Sequence, residues 1–253
     1  MMSVGYGFRT TILFAGAICQ VWFSAQPEFF GISSTIGARS DADRTFLIPA
    51  GVAFAIWGPL FLGSFLFAIY HAFVSMRVDL VARVGWYAAF AFWGNALWAL
   101  YTPAFGPGWA SFFLLLAIAA PLYAAIVAVR RAGAQPLARN IALSPIFALA
   151  GWLTVATPAG LSLAAKFTGF NPLGLNAIAA SLLVLVPWTL LVATLAYRIR
   201  SVVYSIPILW GLYFVYVANR ARDVEILWMA AAVAAALIAI ATVAGKVRRL
   251  TAA

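Results

Sequence analysis

The sequence predicts an all-α integral membrane protein with about eight transmembrane helices. Of the 253 residues, 66% are hydrophobic and only 9% are charged, and the mean hydropathy is +1.02. Soluble domains are about 45–50% apolar and about 25% charged, so this composition does not suit a surface that faces water. Uncharged apolar runs long enough to cross the ~30 Å hydrocarbon core of a bilayer also recur along the whole chain.

Eight apolar runs, bounded by charged residues, proline, glycine or asparagine, are predicted to span the membrane. They cover residues 10–30, 46–74, 84–102, 109–129, 143–165, 176–197, 202–218 and 224–246. The connections are short except for the polar segment 31–45, which is long enough to hold a short interfacial helix. No soluble domain is predicted, and residues 1–253 are expected to form a single transmembrane domain.

The second run, residues 46–74, has an unusual composition for a helix. It contains Pro49, Gly51, Gly58, Pro59 and Gly63, and proline and glycine are the least favourable residues in a helix interior. It also places Trp57 inside the apolar layer, whereas tryptophans usually collect at membrane interfaces. We expect a helix kinked at Gly58–Pro59, with Pro49 at the outer mouth of a cavity and the kink at its floor.

The charges predict the orientation. Eight spans place both termini on one side, and the loops on that side carry eleven cations against the single acid Asp79. The loops on the other side carry five cations and five acids. The positive-inside rule therefore predicts a multi-pass protein of the cell (inner) membrane with cytoplasmic N- and C-termini. The net charge of +10 is explained by this asymmetry, and no nucleic-acid partner is predicted.

Several kinds of chemistry lose support from the positions of reactive residues. No aspartate, glutamate, lysine or arginine falls near the centre of a span, which argues against proton-coupled transport and carboxylate catalysis. His71, the single histidine, lies near a helix end and is expected to be an interfacial residue. Cys19, the single cysteine, cannot form an internal disulfide. We predict no catalytic residues, no metal site and no enzymatic activity.

The tryptophans supply the remaining signal. Six of the ten lie several residues inside their helices, namely Trp57, Trp93, Trp98, Trp152, Trp188 and Trp210. Together with the polar residues Asn95, Thr154 and Thr157, such rings would suit a cavity for a flat, largely apolar molecule. The alternative is that large rings fill gaps beside small residues and kinked helices.

Three motifs at these residues resemble a known family, the tryptophan-rich sensory proteins, also called the TspO/MBR or peripheral benzodiazepine receptor family. The motifs are Pro49, Phe54 and Ile56–Trp57 in the second helix, Asn95 and Trp98 in the third, and Trp152, Thr154, Ala156 and Thr157 in the fifth. The resemblance implies a TspO-like five-helix bundle over residues 1–167. Residues 168–253 would add three further helices, as in a longer bacterial branch.

The sequence also departs from the family pattern. Ala148–Leu149 stands where the family has Pro-Tyr, and Ile48 replaces a second proline. The asparagine that closes the fifth-helix motif in the family is missing, with Pro158–Ala159–Gly160 in its place. The resemblance implies a pocket for porphyrins, sterols or isoquinoline-type drugs, with a ligand preference that differs from that of the five-helix members. The candidate ligand-binding residues are Pro49, Phe54, Trp57, Asn95, Trp98, Trp152, Thr154 and Ala156.

Three functional hypotheses follow. The first is a sensory or regulatory membrane receptor for a planar hydrophobic ligand, either tetrapyrrole or sterol-like. The second is a structural subunit or assembly factor of a larger membrane complex that holds pigments, because the alanine-rich last run allows close helix packing or a homodimer. The third is an uncoupled transporter of small metabolites. No covalent cofactor is expected; a non-covalent tetrapyrrole or lipid, the lipid bilayer and a hydrophobic small molecule are the expected partners.

Overall fold

The computed structural model of the chain describes residues 4–25, 45–133 and 135–251. These ranges hold eight α-helices, one 3₁₀ helix and no strand. The α-helices are α1 (Val4–Ala25), α2 (Trp57–Val74), α3 (Asp79–Phe105), α4 (Trp109–Arg131), α5 (Leu137–Thr168), α6 (Ala177–Ile199), α7 (Val202–Arg220) and α8 (Glu225–Thr251), and the 3₁₀ helix is Gly51–Ile56. The predicted end of the first span and the polar segment 31–44 lie outside the described residues.

The all-α membrane fold is confirmed. Seven of the described helical segments are long and apolar enough to cross a membrane, with the 3₁₀ helix and α2 counted as one. The exception is α3, whose 27 residues are long enough but include three tryptophans, two tyrosines and Asn95, which lower its mean hydropathy. It packs along α1 and α4 in the same bundle.

The prediction of one continuous helix over residues 46–74 is wrong. Residues 46–50 are not helical, Gly51–Ile56 form the 3₁₀ helix, and the α-helix begins only at Trp57. Pro59 therefore lies in the first turn of α2, where amide groups have no acceptor within the helix and a proline is tolerated. Gly58 and Pro59 therefore mark the start of a helix and not a kink within one. Both residues are exposed on the surface and do not form the floor of a cavity.

Helix α5 is the centre of the bundle. It contacts α2, α4, α6 and α7, and it carries Trp152, which is only 2% exposed. At Gly151 the backbone of α7 comes very close, because an added Cβ would lie 2.0 Å from the Tyr204 carbonyl oxygen. Glycine thus permits α5 and α7 to approach closely. Among the described residues, helix α8 packs mainly on α6 and α7, at the edge of the bundle. The division at residue 167 stays a prediction.

Pro158 in α5 leaves a backbone carbonyl without its helical donor. A proline has no N–H group, so the carbonyl oxygen of Thr154, four residues earlier, loses its usual hydrogen bond. The Trp188 indole Nε1 of α6 donates to that oxygen over 3.1 Å. Pro145 has the same effect on Ile141, whose carbonyl oxygen accepts from the Ser144 hydroxyl over 2.7 Å. Side chains thereby satisfy both freed acceptors, one between α5 and α6 and one on the exposed face of α5.

The cations collect at one end of the bundle, which we call the basic end. It comprises the starts of α1, α3, α5 and α7 and the ends of α2, α4, α6 and α8. Among the described side chains it carries Arg9, Arg77, Arg83, Arg130, Arg131, Arg139, Arg198, Arg200, Lys246 and Arg248, with Asp79 as its acid. The opposite end carries both signs of charge, for example Lys166, Arg220 and Glu225.

His71 is not the interfacial residue that the sequence suggested. It is fully buried between α2 and α3, and neither ring nitrogen has a hydrogen-bond partner among the described residues. The ring occupies the space that a side chain at Gly85 would fill, since a Cβ there would lie 2.2 Å from Nε2. His71 therefore packs as part of the helix contact.

Candidate ligand-binding site

An apolar cavity of about 110 Å³ lies between the segment 48–57, the end of α3, the start of α4 and the second half of α5. It is near the end of the bundle opposite the basic end. Its lining residues are Ile48, Pro49, Phe54, Trp57, Trp98, Thr102, Pro103, Pro107, Ser111, Leu115, Trp152, Val155, Ala156, Ala159, Gly160 and Leu163. None of these residues is ionisable, so the cavity suits an uncharged or weakly polar group.

Three aromatic rings form one wall of the cavity. Trp152 forms near-perpendicular pairs with Trp57 and with Phe54, with ring centroids 6.0 and 5.9 Å apart and interplanar angles of 83° and 89°. Trp57 also stacks on Phe61, at 5.1 Å and 24°. Edge-to-face and offset-stacked geometries are the favourable arrangements of aromatic pairs. The rings are therefore held in fixed orientations at the cavity wall.

Two indole N–H groups on this wall have no acceptor. Trp57 Nε1 and Trp152 Nε1 are both buried, and no described residue accepts a hydrogen bond from either. Leaving a buried donor unpaired costs about 1–3 kcal/mol. Both residues line the cavity, so an acceptor atom of a bound molecule that reached either donor would be stabilised.

A pair of hydroxyl groups, from Thr102 and Ser111, is a second polar part of the cavity lining. Thr102 Oγ1 and Ser111 Oγ are 2.7 Å apart, and Trp98 Nε1 donates to Ser111 Oγ over 3.0 Å. These bonds join the last turn of α3 to the first turn of α4. They fix the third tryptophan of the cavity and satisfy its N–H group within the protein.

Helix α7 holds the segment that forms the cavity wall. The Ala50 amide donates to the Phe214 carbonyl oxygen over 3.1 Å, and Asn219 Nδ2 donates to the Phe46 carbonyl oxygen over 2.8 Å. Trp210 Nε1 donates to the Ala53 carbonyl oxygen, also over 2.8 Å. The wall of the cavity is thus attached to one of the three helices that follow the first five.

Six of the eight predicted site residues line the cavity: Pro49, Phe54, Trp57, Trp98, Trp152 and Ala156. Asn95 and Thr154 lie elsewhere. Asn95 Nδ2 donates to Gln20 Oε1 of α1 over 3.2 Å. Thr154 Oγ1 lies 2.6 Å from the Tyr123 hydroxyl oxygen, which in turn lies 2.8 Å from that of Tyr204, so these three hydroxyls join α4, α5 and α7.

The six tryptophans inside the helices divide into two groups. Trp57, Trp98 and Trp152 line the cavity. Trp93, Trp188 and Trp210 instead donate to backbone carbonyl oxygens of neighbouring segments, those of Ile12, Thr154 and Ala53. Half of the set therefore lines the cavity and half bonds to neighbouring backbone, and the binding of a flat molecule in the cavity stays a prediction.

Sequence reasoning missed the contribution of the α3–α4 connection. Thr102, Pro103, Pro107 and Ser111 all line the cavity. They flank the boundary between two predicted spans, and two hydroxyl residues within ten positions are a weak signal of a local contact. Only the turn at Gly106, which has φ 90°, brings them to the same place.

The fold and this cavity define a multi-pass membrane protein with an internal aromatic site. Residues 9–244 match the model of the TSPO-like protein family. The chain therefore belongs to that family, and the match, which runs into α8, confirms the resemblance and includes the three further helices. No curated protein and no solved structure matches the chain. Membership makes it, in general terms, a membrane protein of the binding or sensory kind.

Proposed function

We propose that this protein is a membrane receptor that binds a planar, largely apolar ligand in the cavity beside Trp152. The observation that carries the proposal is the pair of buried indole N–H groups of Trp57 and Trp152 without an acceptor among the described residues. A flat molecule with one acceptor atom, such as a carbonyl oxygen or an imine-type ring nitrogen, would stack on the rings and accept from these donors. The resemblance to the family names porphyrins and sterol-like molecules as the candidate classes of ligand.

The volume of the cavity limits the size of the ligand that it encloses. Pockets that bury drug-sized ligands measure about 300–1,000 Å³, whereas this cavity measures about 110 Å³. It therefore accommodates one ring of a larger ligand. A tetrapyrrole requires the wall to move, and we propose that residues 48–56 move, because they form no α-helix. This movement would have to break the hydrogen bonds that join Ala50 and Ala53 to α7.

We propose that the protein binds its ligand without catalysing a reaction on it. None of the described residues that line the cavity is ionisable, so these residues offer no general acid or base and no group that would couple transport to protons. We further propose that the protein lies in the cell membrane with the basic end in the cytoplasm, which the positive-inside rule favours.

The assembly hypothesis receives less support. Ala231, Ala234 and Ile238 of α8 are buried, in a helix that packs mainly on α6 and α7 among the described residues. At Gly245 an added Cβ would lie 2.3 Å from the Tyr197 carbonyl oxygen of α6. Ala231 and Ala234 therefore serve packing within the chain, whereas Ala232, Ala236 and Ala244 are exposed, and a contact of α8 with another chain stays a prediction.

Porphyrin absorbance tests the proposed function. The full-length protein in detergent micelles is titrated with protoporphyrin, and the shift of the porphyrin absorbance band reports binding independently of the number of tryptophans. The variant with Trp57→Phe and Trp152→Phe should bind roughly tenfold more weakly, because two donors are lost. The control with Trp93→Phe and Trp228→Phe changes two tryptophans outside the lining and should bind like the wild type. Equal affinities of all three proteins would contradict the proposal.

A competition experiment tests the size argument. An aromatic carboxamide with an isoquinoline ring is added to the porphyrin-loaded protein. Release of the porphyrin at saturating carboxamide is expected if both occupy the same cavity. Simultaneous binding of both probes would mean that the porphyrin binds outside it.

A further inference from the structure

A second groove, of about 780 Å³, opens at the basic end, between the end of α4, the start of α5, the α6–α7 connection and the end of α8. It is remote from the aromatic cavity, which lies at the other end of the bundle. Its lining includes the cations Arg130, Arg200 and Lys246 and no acidic residue. Like charges that meet in one groove attract an anion, and the attraction is strongest where nearby protein limits the screening by water.

Arg200 presents its cation to this groove from a constrained backbone. It ends α6 with φ 57°, in the left-handed region that residues other than glycine rarely adopt. Its Nε is buried and has no hydrogen-bond partner among the described residues. Arg130, by contrast, donates through Nη1 to the Ile199 carbonyl oxygen over 2.6 Å and so supports the turn that carries Arg200.

Two helix N-termini meet the same groove. Val202 and Val203, in the first turn of α7, and Leu137, at the start of α5, are part of the lining. The amides of a first helical turn have no acceptor within the helix, and the helix dipole places positive charge there. Ser201 caps α7, since its Oγ accepts from the Tyr204 amide over 3.3 Å, and its hydroxyl proton remains available to donate.

The α4–α5 connection forms a preorganised wall of the groove. Gln135 Nε2 donates to the Ala132 carbonyl oxygen over 3.0 Å, and Asn140 Nδ2 donates to the Gln135 carbonyl oxygen over 2.8 Å. Arg139 Nη1 donates to Gln135 Oε1 over 2.6 Å, which brings a further cation next to this wall. These bonds exist before any ligand binds, so little order has to be created on binding.

The other part of the lining is apolar and exposed. Ile141 is 63% exposed and Val202 is 43% exposed, on helices that cross the membrane. A ligand that fills the whole groove therefore needs an anionic head for the cations and an apolar tail for these side chains. Free phosphate satisfies only the first requirement.

We propose that this groove binds an anionic phospholipid, with the phosphate between Arg200, Lys246 and the N-terminus of α7 and an acyl chain along Ile141 and Val202. Cations near a membrane surface contribute substantially to the binding of acidic lipids, and grooves of this kind between helices are suited to their head groups. This site is independent of the aromatic cavity and of the function proposed for it.

Native mass spectrometry of the delipidated full-length protein tests the proposal. The protein in detergent is titrated with phosphatidylglycerol or with phosphatidylcholine, which is zwitterionic, and the bound lipids are counted. We expect a saturable first phosphatidylglycerol that binds roughly tenfold or more tightly than phosphatidylcholine. The double variant Arg200→Gln with Lys246→Gln should lose this preference, and Arg200→Lys with Lys246→Arg should retain it.

The matched control removes two cations from another groove at the same end. Arg83 and Arg131 line a groove between α3 and α4, and Arg83→Gln with Arg131→Gln lowers the net charge by the same amount. This control should keep the first phosphatidylglycerol site. Equal loss in both double variants would assign the preference to the overall charge and overturn the proposal. Displacement of the lipid by millimolar inorganic phosphate would mean a free phosphate site and would also overturn it. Circular dichroism of each variant establishes that the helices are intact.

Discussion

The indole Nε1 of Trp210 in α7 donates a hydrogen bond of 2.8 Å to the carbonyl oxygen of Ala53 in the 3₁₀ helix. Ala53 lies one residue before Phe54, whose ring contacts Trp152 edge-to-face at the cavity wall. A helix outside the first five thereby positions a residue of the candidate site. Helix α7 is thus connected to the cavity wall through this bond as well as through the Ala50–Phe214 and Asn219–Phe46 bonds.

The first prediction concerns this contact. Trp210→Phe removes the hydrogen bond and should lower both the free energy of unfolding, by about 1 kcal/mol, and the affinity for a ligand in the cavity. Trp93→Phe is a matched control, because Trp93 donates to the Ile12 carbonyl oxygen over 3.0 Å, away from the cavity. The two tryptophans are also similarly exposed, at 38% and 40%. Thermal unfolding should respond to both variants and porphyrin affinity only to Trp210→Phe; an equal effect on affinity would argue against a positioning role.

A second prediction concerns the close approach of α5 and α7. Gly151→Ala places a Cβ 2.0 Å from the Tyr204 carbonyl oxygen, and a backbone atom cannot move away cheaply. The variant should lose about 1–3 kcal/mol of stability through overpacking. Gly58→Ala is the control, since no atom lies within 4 Å of the added Cβ, and it should be neutral or slightly stabilising. Melting temperatures in one detergent compare the two, and a similar loss in both would contradict the packing argument.

The third prediction tests why Trp188 contacts Thr154. Trp188→Phe leaves the buried Thr154 carbonyl oxygen without a donor, because Pro158 supplies none, and should cost about 1–3 kcal/mol. Pro158→Ala introduces an amide that can bond to this oxygen. Trp188→Phe should then cost less in the Pro158→Ala background than in the wild type, which a double-mutant cycle of unfolding free energies measures. Additive effects would show that the two groups act independently.

A fourth prediction concerns the fit of His71 against Gly85. Gly85→Ala brings a Cβ to 2.2 Å from His71 Nε2, and the fully buried ring has no space to move into. We expect a loss of about 1–3 kcal/mol. His71→Ala on its own leaves a cavity, but in the double variant the two changes compensate in volume. The double variant should therefore lose less stability than the sum of the single variants, and a strictly additive result would rule out direct contact.

Much of the helical architecture was predictable from the sequence because it depends on properties of single segments. The apolar runs define the helices, since each must satisfy its backbone hydrogen bonds within itself in lipid. Predicted and observed helix ends agree within several residues for α4 and α7, for example 109–129 against Trp109–Arg131. Where local chemistry is ambiguous the prediction failed, as at Pro59, which is compatible both with a kink and with a helix start.

By itself, then, the sequence determined the fold class, the helices, the collection of cations at one end and the family. The tertiary structure alone decided which aromatic side chains meet. Lipid and protein interior are both apolar, so an apolar pattern does not indicate which face of a membrane helix is inward. Trp93 and Trp98 lie five residues apart on α3, yet one bonds to the α1 backbone and the other lines the cavity. Asn95, between them, is buried, as expected for a polar residue in a membrane helix. It donates to Gln20 of α1 and does not line the cavity.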